Sequence, residues 1–228
     1  MKDKVIIALD TQDEKVMNRW IEEFSGVASF VKIGMEAYYS FGPQLLQKLK
    51  SHQFKIFLDL KLHDIPHTVH KSCKTLGKLG VDILNVHAAG GHEMMKAALE
   101  GYREHSQGKL IAVTQLTSTT SEQLKDELYI SKTLDETVLG YAQNAKKAGL
   151  DGVVCSPLEI ELIHQNIKNF ITVTPGIRPL NARADDQKRI LTPIEAIQKG
   201  CTHMVIGRPI TQSPHPKQTY LNILEEIQ

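Results

Sequence analysis

The chain reads as an α/β protein, a single (β/α)8 barrel over residues 1–228. Three observations predict this. Short apolar strands alternate with amphipathic segments long enough to be helices, eight times over. No Pro/Gly/Ser-rich linker or shift of composition divides the chain. Polar residues gather just past the C-terminal ends of the strands, where a barrel of this kind assembles its active site. A doubly wound open sheet is the alternative topology.

In chain order, the apolar runs predict strands at 4–9, 29–33, 54–58, 83–86, 110–114, 152–154, 171–174 and 203–206. Between and after them, the helical period predicts helices at 13–24, 43–52, 66–79, 93–105, 134–148, 158–165, 193–199 and 216–227. Several carry proline near their start, where its missing N–H costs nothing, and glycine just past their end, as at Gly80, Gly149 and Gly200. The longest irregular stretches are 118–132 after the fifth strand and 178–191 after the seventh. Long loops at that end of a barrel are expected to act as lids.

Composition bounds the function. With 41% hydrophobic and 23% charged residues in 228, the chain can bury a full core. A net charge of +1 with scattered lysines provides no field for nucleic acid or an anionic membrane, and six Phe, six Tyr and one Trp make a poor base-stacking platform. A small-molecule partner is expected. No apolar run reaches the length of a membrane span, and Met1-Lys2-Asp3-Lys4 leads directly into a strand, which predicts a cytoplasmic protein. Cys73, Cys155 and Cys201 are odd in number and widely spaced, so they predict buried thiols, without a disulfide framework or zinc ribbon.

The most informative stretch is Asp59-Leu60-Lys61-Leu62-His63-Asp64-Ile65-Pro66. Strand alternation puts Asp59 and Lys61 on one face, so their charged heads emerge together. An acid about 4 Å from a lysine at intermediate dielectric interacts by roughly 4 kcal/mol, enough to raise the lysine pKa by up to about three units. Lys61 is therefore expected to be a fixed cation or proton donor and a poor Schiff-base nucleophile. A structural ion pair at a barrel rim is the plain alternative.

The same end collects Asp10 after strand one, Lys32 in strand two, Asn85 and His87 at strand four, and Gln115 and Thr117 after strand five. Thr174-Pro175-Gly176-Ile177-Arg178 follows strand seven, and Gly207-Arg208-Pro209 follows strand eight. The loops after strands seven and eight commonly hold phosphate in such barrels. Gly176 and Gly207 permit close backbone approach, and Arg208 can donate two charge-assisted hydrogen bonds to phosphate oxygens. Metal is the competing use of Asp59, Asp64 and His87, but Lys61 between the acids would bring a like charge to the cation. His63, His67, His70 and His92 have no zinc-protease spacing and read as surface residues. Gly90-Gly91 reads as a turn into the fourth helix.

These residues together resemble the orotidine 5′-phosphate decarboxylase family from strand one to strand eight. The core D-x-K-x-x-D-I-P stands at Asp59 to Pro66. It is joined by Asp10, Lys32-Ile33-Gly34, Asn85-Val86-His87-Ala88, Gln115-Leu116-Thr117-Ser118, Thr174 to Arg178, Asp186-Gln187-Lys188-Arg189 and Val205 to Ile210. The D-x-K-x-x-D core alone is shared with sugar-phosphate lyases of the same superfamily; Ile65-Pro66, Gln187 and Arg208 make the match specific. The resemblance implies decarboxylation of orotidine 5′-monophosphate to uridine 5′-monophosphate, with no metal or organic cofactor. It implies Lys61 as proton donor to C6, Asp59 beside the leaving carboxylate, and Lys32 holding the charge array and ribose. Asp64, Ile65 and Thr68 would come from a neighbouring subunit, making a homodimer with shared sites. Asp10 would bind ribose, Thr117 the pyrimidine edge, Gln187 the phosphate and closing loop, and Arg178, Gly207 and Arg208 the phosphate region. The alternatives are a magnesium-dependent keto-sugar-phosphate decarboxylase or aldolase, a Schiff-base aldolase using Lys61, and a non-catalytic binder of phosphorylated metabolites.

Overall fold

The computed structural model describes residues 2–179 and 191–228. Eight parallel strands close into a barrel in sequence order: β1 (Val5–Ala8), β2 (Phe30–Gly34), β3 (Lys55–Leu62), β4 (Ile83–His87), β5 (Lys109–Val113), β6 (Gly152–Val154), β7 (Ile171–Thr174) and β8 (His203–Ile206). β8 pairs with β1 at Val5↔Met204, Ile6↔Val205 and Ile7↔Ile206, which closes the ring and excludes the open sheet.

Ten α-helices stand among the described residues: α1 (Glu14–Phe24), α2 (Met35–Phe41), α3 (Pro43–Ser51), α4 (Pro66–Gly77), α5 (Gly91–Arg103), α6 (Leu134–Lys147), α7 (Ile160–Asn166), α8 (Pro193–Gln198), α9 (Arg208–Thr211) and α10 (Pro216–Glu226). Their starts follow local chemistry. Asp13 caps α1 by accepting from the Lys15 and Val16 amides at 2.8 and 3.2 Å. Thr133 with Glu136, and Thr192 with Glu195, form reciprocal capping boxes on α6 and α8. α1 turns Met17, Trp20, Ile21 and Phe24 inward at helical spacing, and such side chains contribute roughly 1.5–3 kcal/mol each when fully buried. α4 and α5 pack closely because Gly101 lacks a Cβ, which would collide with the His70 carbonyl.

The apolar residues form two layers. The larger lies between strands and helices; the smaller fills the barrel with Ile6, Phe30, Phe57, Ile83, Ile111, Val173 and Val205. This inner layer sets the site. Two residues further along their strands, on the same face, stand Lys32 after Phe30, Asp59 after Phe57 and Asn85 after Ile83.

Four local features differ from the sequence expectation. β3 continues to Leu62, so Asp59 and Lys61 lie within the strand. α2 starts directly at the end of β2 with Gly34 as its N-cap, too short to show a clear period. The stretch after β5 contains a π-helical turn, Gln123–Glu127, that buries Leu124. α5 begins at Gly91, whose φ of 82° makes the turn from β4. After β7, Ile177 bridges Leu191, so the base of the 178–191 segment is pinned, and residues 180–190 lie outside the described residues. All three cysteines are buried, and among the described residues no helix is long and apolar enough to cross a membrane.

Candidate active site

At the C-terminal mouth of the barrel the charged side chains form an alternating row. Asp10, two residues beyond β1, accepts from Lys32 Nζ at 2.7 Å through Oδ2 and from the Gly34 amide at 2.9 Å through Oδ1. Lys32 Nζ also lies 3.4 Å from Asp59 Oδ2. The other Asp59 oxygen, Oδ1, accepts from Lys61 Nζ at 2.8 Å and from Asn85 Nδ2 at 2.7 Å. The order is therefore acid, base, acid, base, with Asp10 and Lys61 toward solvent and Lys32 and Asp59 buried.

Glycine makes this packing possible. Gly34 pairs with Asp59 across β2 and β3, and a Cβ there would stand 2.6 Å from Asp10 Oδ1 and 2.8 Å from Lys32 Nζ. Only the absent side chain leaves room for the ion pair.

Burial works against both inner charges, and their partners prevail. For Asp59, desolvation favours the neutral acid, but Lys32, then Lys61 and the hydrogen bonds from Lys61 and Asn85, hold its pKa below the ordinary carboxylate value. For Lys32, desolvation opposes the cation, yet Asp59 and Asp10 raise its pKa above the usual lysine value. Lys32 and Asp59 thus keep their charges at neutral pH. His87 lies beside it, stacked on His63 with ring centroids 5.6 Å apart. Burial, then His63 and Lys61, lower the His87 pKa, so the ring is neutral.

Asp64, Ile65 and Thr68 stand apart from this row within one chain. All three are exposed, and Asp64 Oδ1 accepts from the adjacent Ile65 amide at 2.6 Å. Thr117 is half-buried beyond β5, and Gln115 is buried. Arg178 is buried beyond β7, and Arg208 is half-buried as the first residue of α9 after β8. Between β8 and that arginine, a Cβ on Gly207 would press to 3.3 Å from the Ala8 Cβ. The parallel topology brings all these strand ends to the same mouth as the charged row. Gln187 lies outside the described residues. His63 and His67 are exposed as expected, whereas His92 and His70 are half-buried, His70 contacting the Ala97 carbonyl and Glu104. Among the described residues no three His, Cys, Asp or Glu side chains gather in a group able to hold a metal ion. Sequence reasoning placed Asn85 only among the polar residues at this end; its parity with Ile83 in an apolar strand was the available sign that it points inward beside Asp59.

A family profile described as "Orotidine 5'-phosphate decarboxylase / HUMPS family" matches residues 3–223. A protein named orotidine 5'-phosphate decarboxylase from Staphylococcus haemolyticus is 56% identical over 227 residues, covering 99% of this chain and 98% of that one. One of the same name from Staphylococcus aureus is 53% identical with the same coverage. The solved structure of orotidine 5'-phosphate decarboxylase from Lactobacillus acidophilus superposes with a TM-score of 0.88 at 41% identity, covering 99% of each chain. An uncharacterized conserved protein from Geobacillus kaustophilus also gives 0.88, at 42% identity over 98% of this chain and 100% of that one. With this coverage and identity, the chain belongs to the orotidine 5'-phosphate decarboxylase / HUMPS family.

Proposed function

We propose that this protein is an orotidine 5′-phosphate decarboxylase, converting orotidine 5′-monophosphate to uridine 5′-monophosphate and carbon dioxide as the last step of de novo pyrimidine synthesis. The observation that carries the reading is the Lys32–Asp59–Lys61 row, held at 3.4 and 2.8 Å in the mouth of a barrel of this family.

The chemistry requires such a row. Loss of carbon dioxide from C6 of the pyrimidine leaves an electron pair in the ring plane, where the π system cannot delocalise it. A cation placed in advance stabilises that pair without reorganisation. Lys61 fills this role: as the C–C bond breaks and carbon dioxide leaves, its ammonium stabilises the pair developing at C6 and gives that pair a proton from Nζ, forming the C–H bond and leaving a neutral amine. Asp59 orients Lys61 and flanks the departing carboxylate. Lys32 fixes Asp59 from the other side and, with Asp10, reaches the ribose. Thr117 meets the pyrimidine edge. Arg178, Gly207 and Arg208, with Gln187, take the phosphate, whose binding energy can organise the site at a distance from the reacting carbon. No metal or organic cofactor enters the reaction so written.

Asp64 completes the row from a second copy of the chain, with Ile65 and Thr68 beside it. Their exposure supports this, above all that of Ile65, an isoleucine 66% exposed beside an exposed acid. The active form is then a homodimer with shared sites, each chain contributing one catalytic domain, and it works in the cytoplasm.

The test is the ultraviolet absorbance of orotidine 5′-monophosphate mixed with purified protein in excess EDTA. Loss of the orotate band with recovery of uridine 5′-monophosphate, abolished in Lys61→Ala, is the expected result. A folded parent protein that leaves the band intact, or works only after magnesium is restored, refutes the assignment.

A further inference from the structure

We propose that Asn85 is a positioning residue for this reaction, setting the Asp59 carboxylate and the Lys61 backbone with the two ends of one amide. The inference rests on the reading of Asp59 and Lys61 as the catalytic pair.

Asn85 is fully buried on the inner face of β4. Its Nδ2 donates to Asp59 Oδ1 at 2.7 Å, and its Oδ1 accepts from the Lys61 backbone N–H at 2.8 Å. The amide's orientation is determined by its partners, because a backbone N–H can only donate and an ionised carboxylate only accept. The neighbouring ladder explains why a side chain is needed. The four-residue step from Leu58 to Leu62 on β3 is matched by the two-residue step from Leu84 to Val86 on β4, so β3 bulges. Lys61 sits in that bulge with φ of 51°, a left-handed conformation that non-glycine residues rarely adopt. Its N–H is satisfied by Asn85. The backbone turn that aims Lys61 and the acid it contacts thus share one anchor.

No other common side chain does both at this length. Aspartate keeps the acceptor for Lys61 but turns an oxygen toward Asp59; leucine or alanine supplies neither group. The charged and titratable groups facing position 85 are Asp59 and Lys61 on β3, Lys32 on β2 beyond Asp59, and His87 on β4 itself.

The experiment compares the parent with Asn85→Ala and Asn85→Asp in steady-state decarboxylation and uridine 5′-monophosphate inhibition. The parent's activity and its loss in Lys61→Ala test the underlying reading separately. In Asn85→Ala, kcat should fall about 100-fold, as expected for a misaimed reacting group, while the inhibition constant for uridine 5′-monophosphate, which lacks the C6 carboxylate, shifts less than about threefold. In Asn85→Asp the new carboxyl donates to Asp59 only when protonated, so its kcat relative to the parent should climb as pH falls. A kcat for Asn85→Ala within about threefold of the parent, or equal losses in kcat and product affinity, overturns the proposal. So does a pH-independent ratio for Asn85→Asp. Should either variant fail to fold, hydrogen exchange on the unaltered protein decides: a protected Lys61 amide supports the anchor, and one exchanging as in an open loop refutes it.

Discussion

Replacing Lys32 by methionine removes one cation from between two acids while nearly conserving volume, and its cost can be worked from the geometry. At an effective dielectric of about 20, contacts of 2.7 Å to Asp10 and 3.4 Å to Asp59 correspond to gross attractions of about 6 and 5 kcal/mol. Burying the ammonium offsets several kcal/mol of that, and removing one member of a buried pair typically costs about 3–5 kcal/mol net. The Asp10 side chain is 32% exposed, so water screens that arm, whereas Asp59 at 13% depends on Lys32. The lower end, about 3 kcal/mol, is therefore expected, which for a chain of this size lowers Tm by about 6–12 °C. Thermal unfolding followed by circular dichroism measures it. Adding Asp59→Asn to Lys32→Met should return part of the loss, because the stranded carboxylate is then neutral, with a coupling of about 2 kcal/mol. A Tm change for Lys32→Met below about 2 °C, or strict additivity in the double variant, would show that the row is not held together as described.

Three other outcomes follow from the same geometry. Gly34→Ala places a methyl 2.6 Å from Asp10 Oδ1 and 2.8 Å from Lys32 Nζ, so kcat/KM should fall by about 10- to 100-fold; an unaltered value would contradict the close packing. Asp59 has a depressed pKa when folded, so its contribution to stability is present above its unfolded value of about 3.9 and is lost as pH falls through the folded pKa. Melts of the parent and Asp59→Asn should therefore converge below about pH 4, and a constant offset down to pH 3 would count against the assignment. Mixing Asp64→Ala with Lys61→Ala chains should restore about a quarter of parental activity, since half of randomly paired dimers are hybrids with one intact site. No recovery despite verified subunit exchange would remove Asp64 from the neighbouring site.

The sequence by itself determined the eight alternating strand and helix segments and the strand faces from which the site grows, while the pairing of β8 with β1 decided for a closed barrel over an open sheet. An alternating strand reports its own two sides, so Lys32 shares a face with Phe30 and Asp59 shares one with Phe57, and closure of the ring makes that face the barrel interior. The D-x-K-x-x-D-I-P run then tied that interior to a family. Only the tertiary structure decided which charges touch. Asp10 meets Lys32, and Asn85 meets both Asp59 and the Lys61 backbone, through registers between strands separated by more than twenty residues; periodicity within one strand carries no record of them. The bulge that extends β3 and puts Lys61 at positive φ was hidden for the same reason, since it is a mismatch between β3 and β4 and a property of neither alone. Closure of the ring brings these ends together, and within one chain Asp64 stays exposed and bonded to the Ile65 amide.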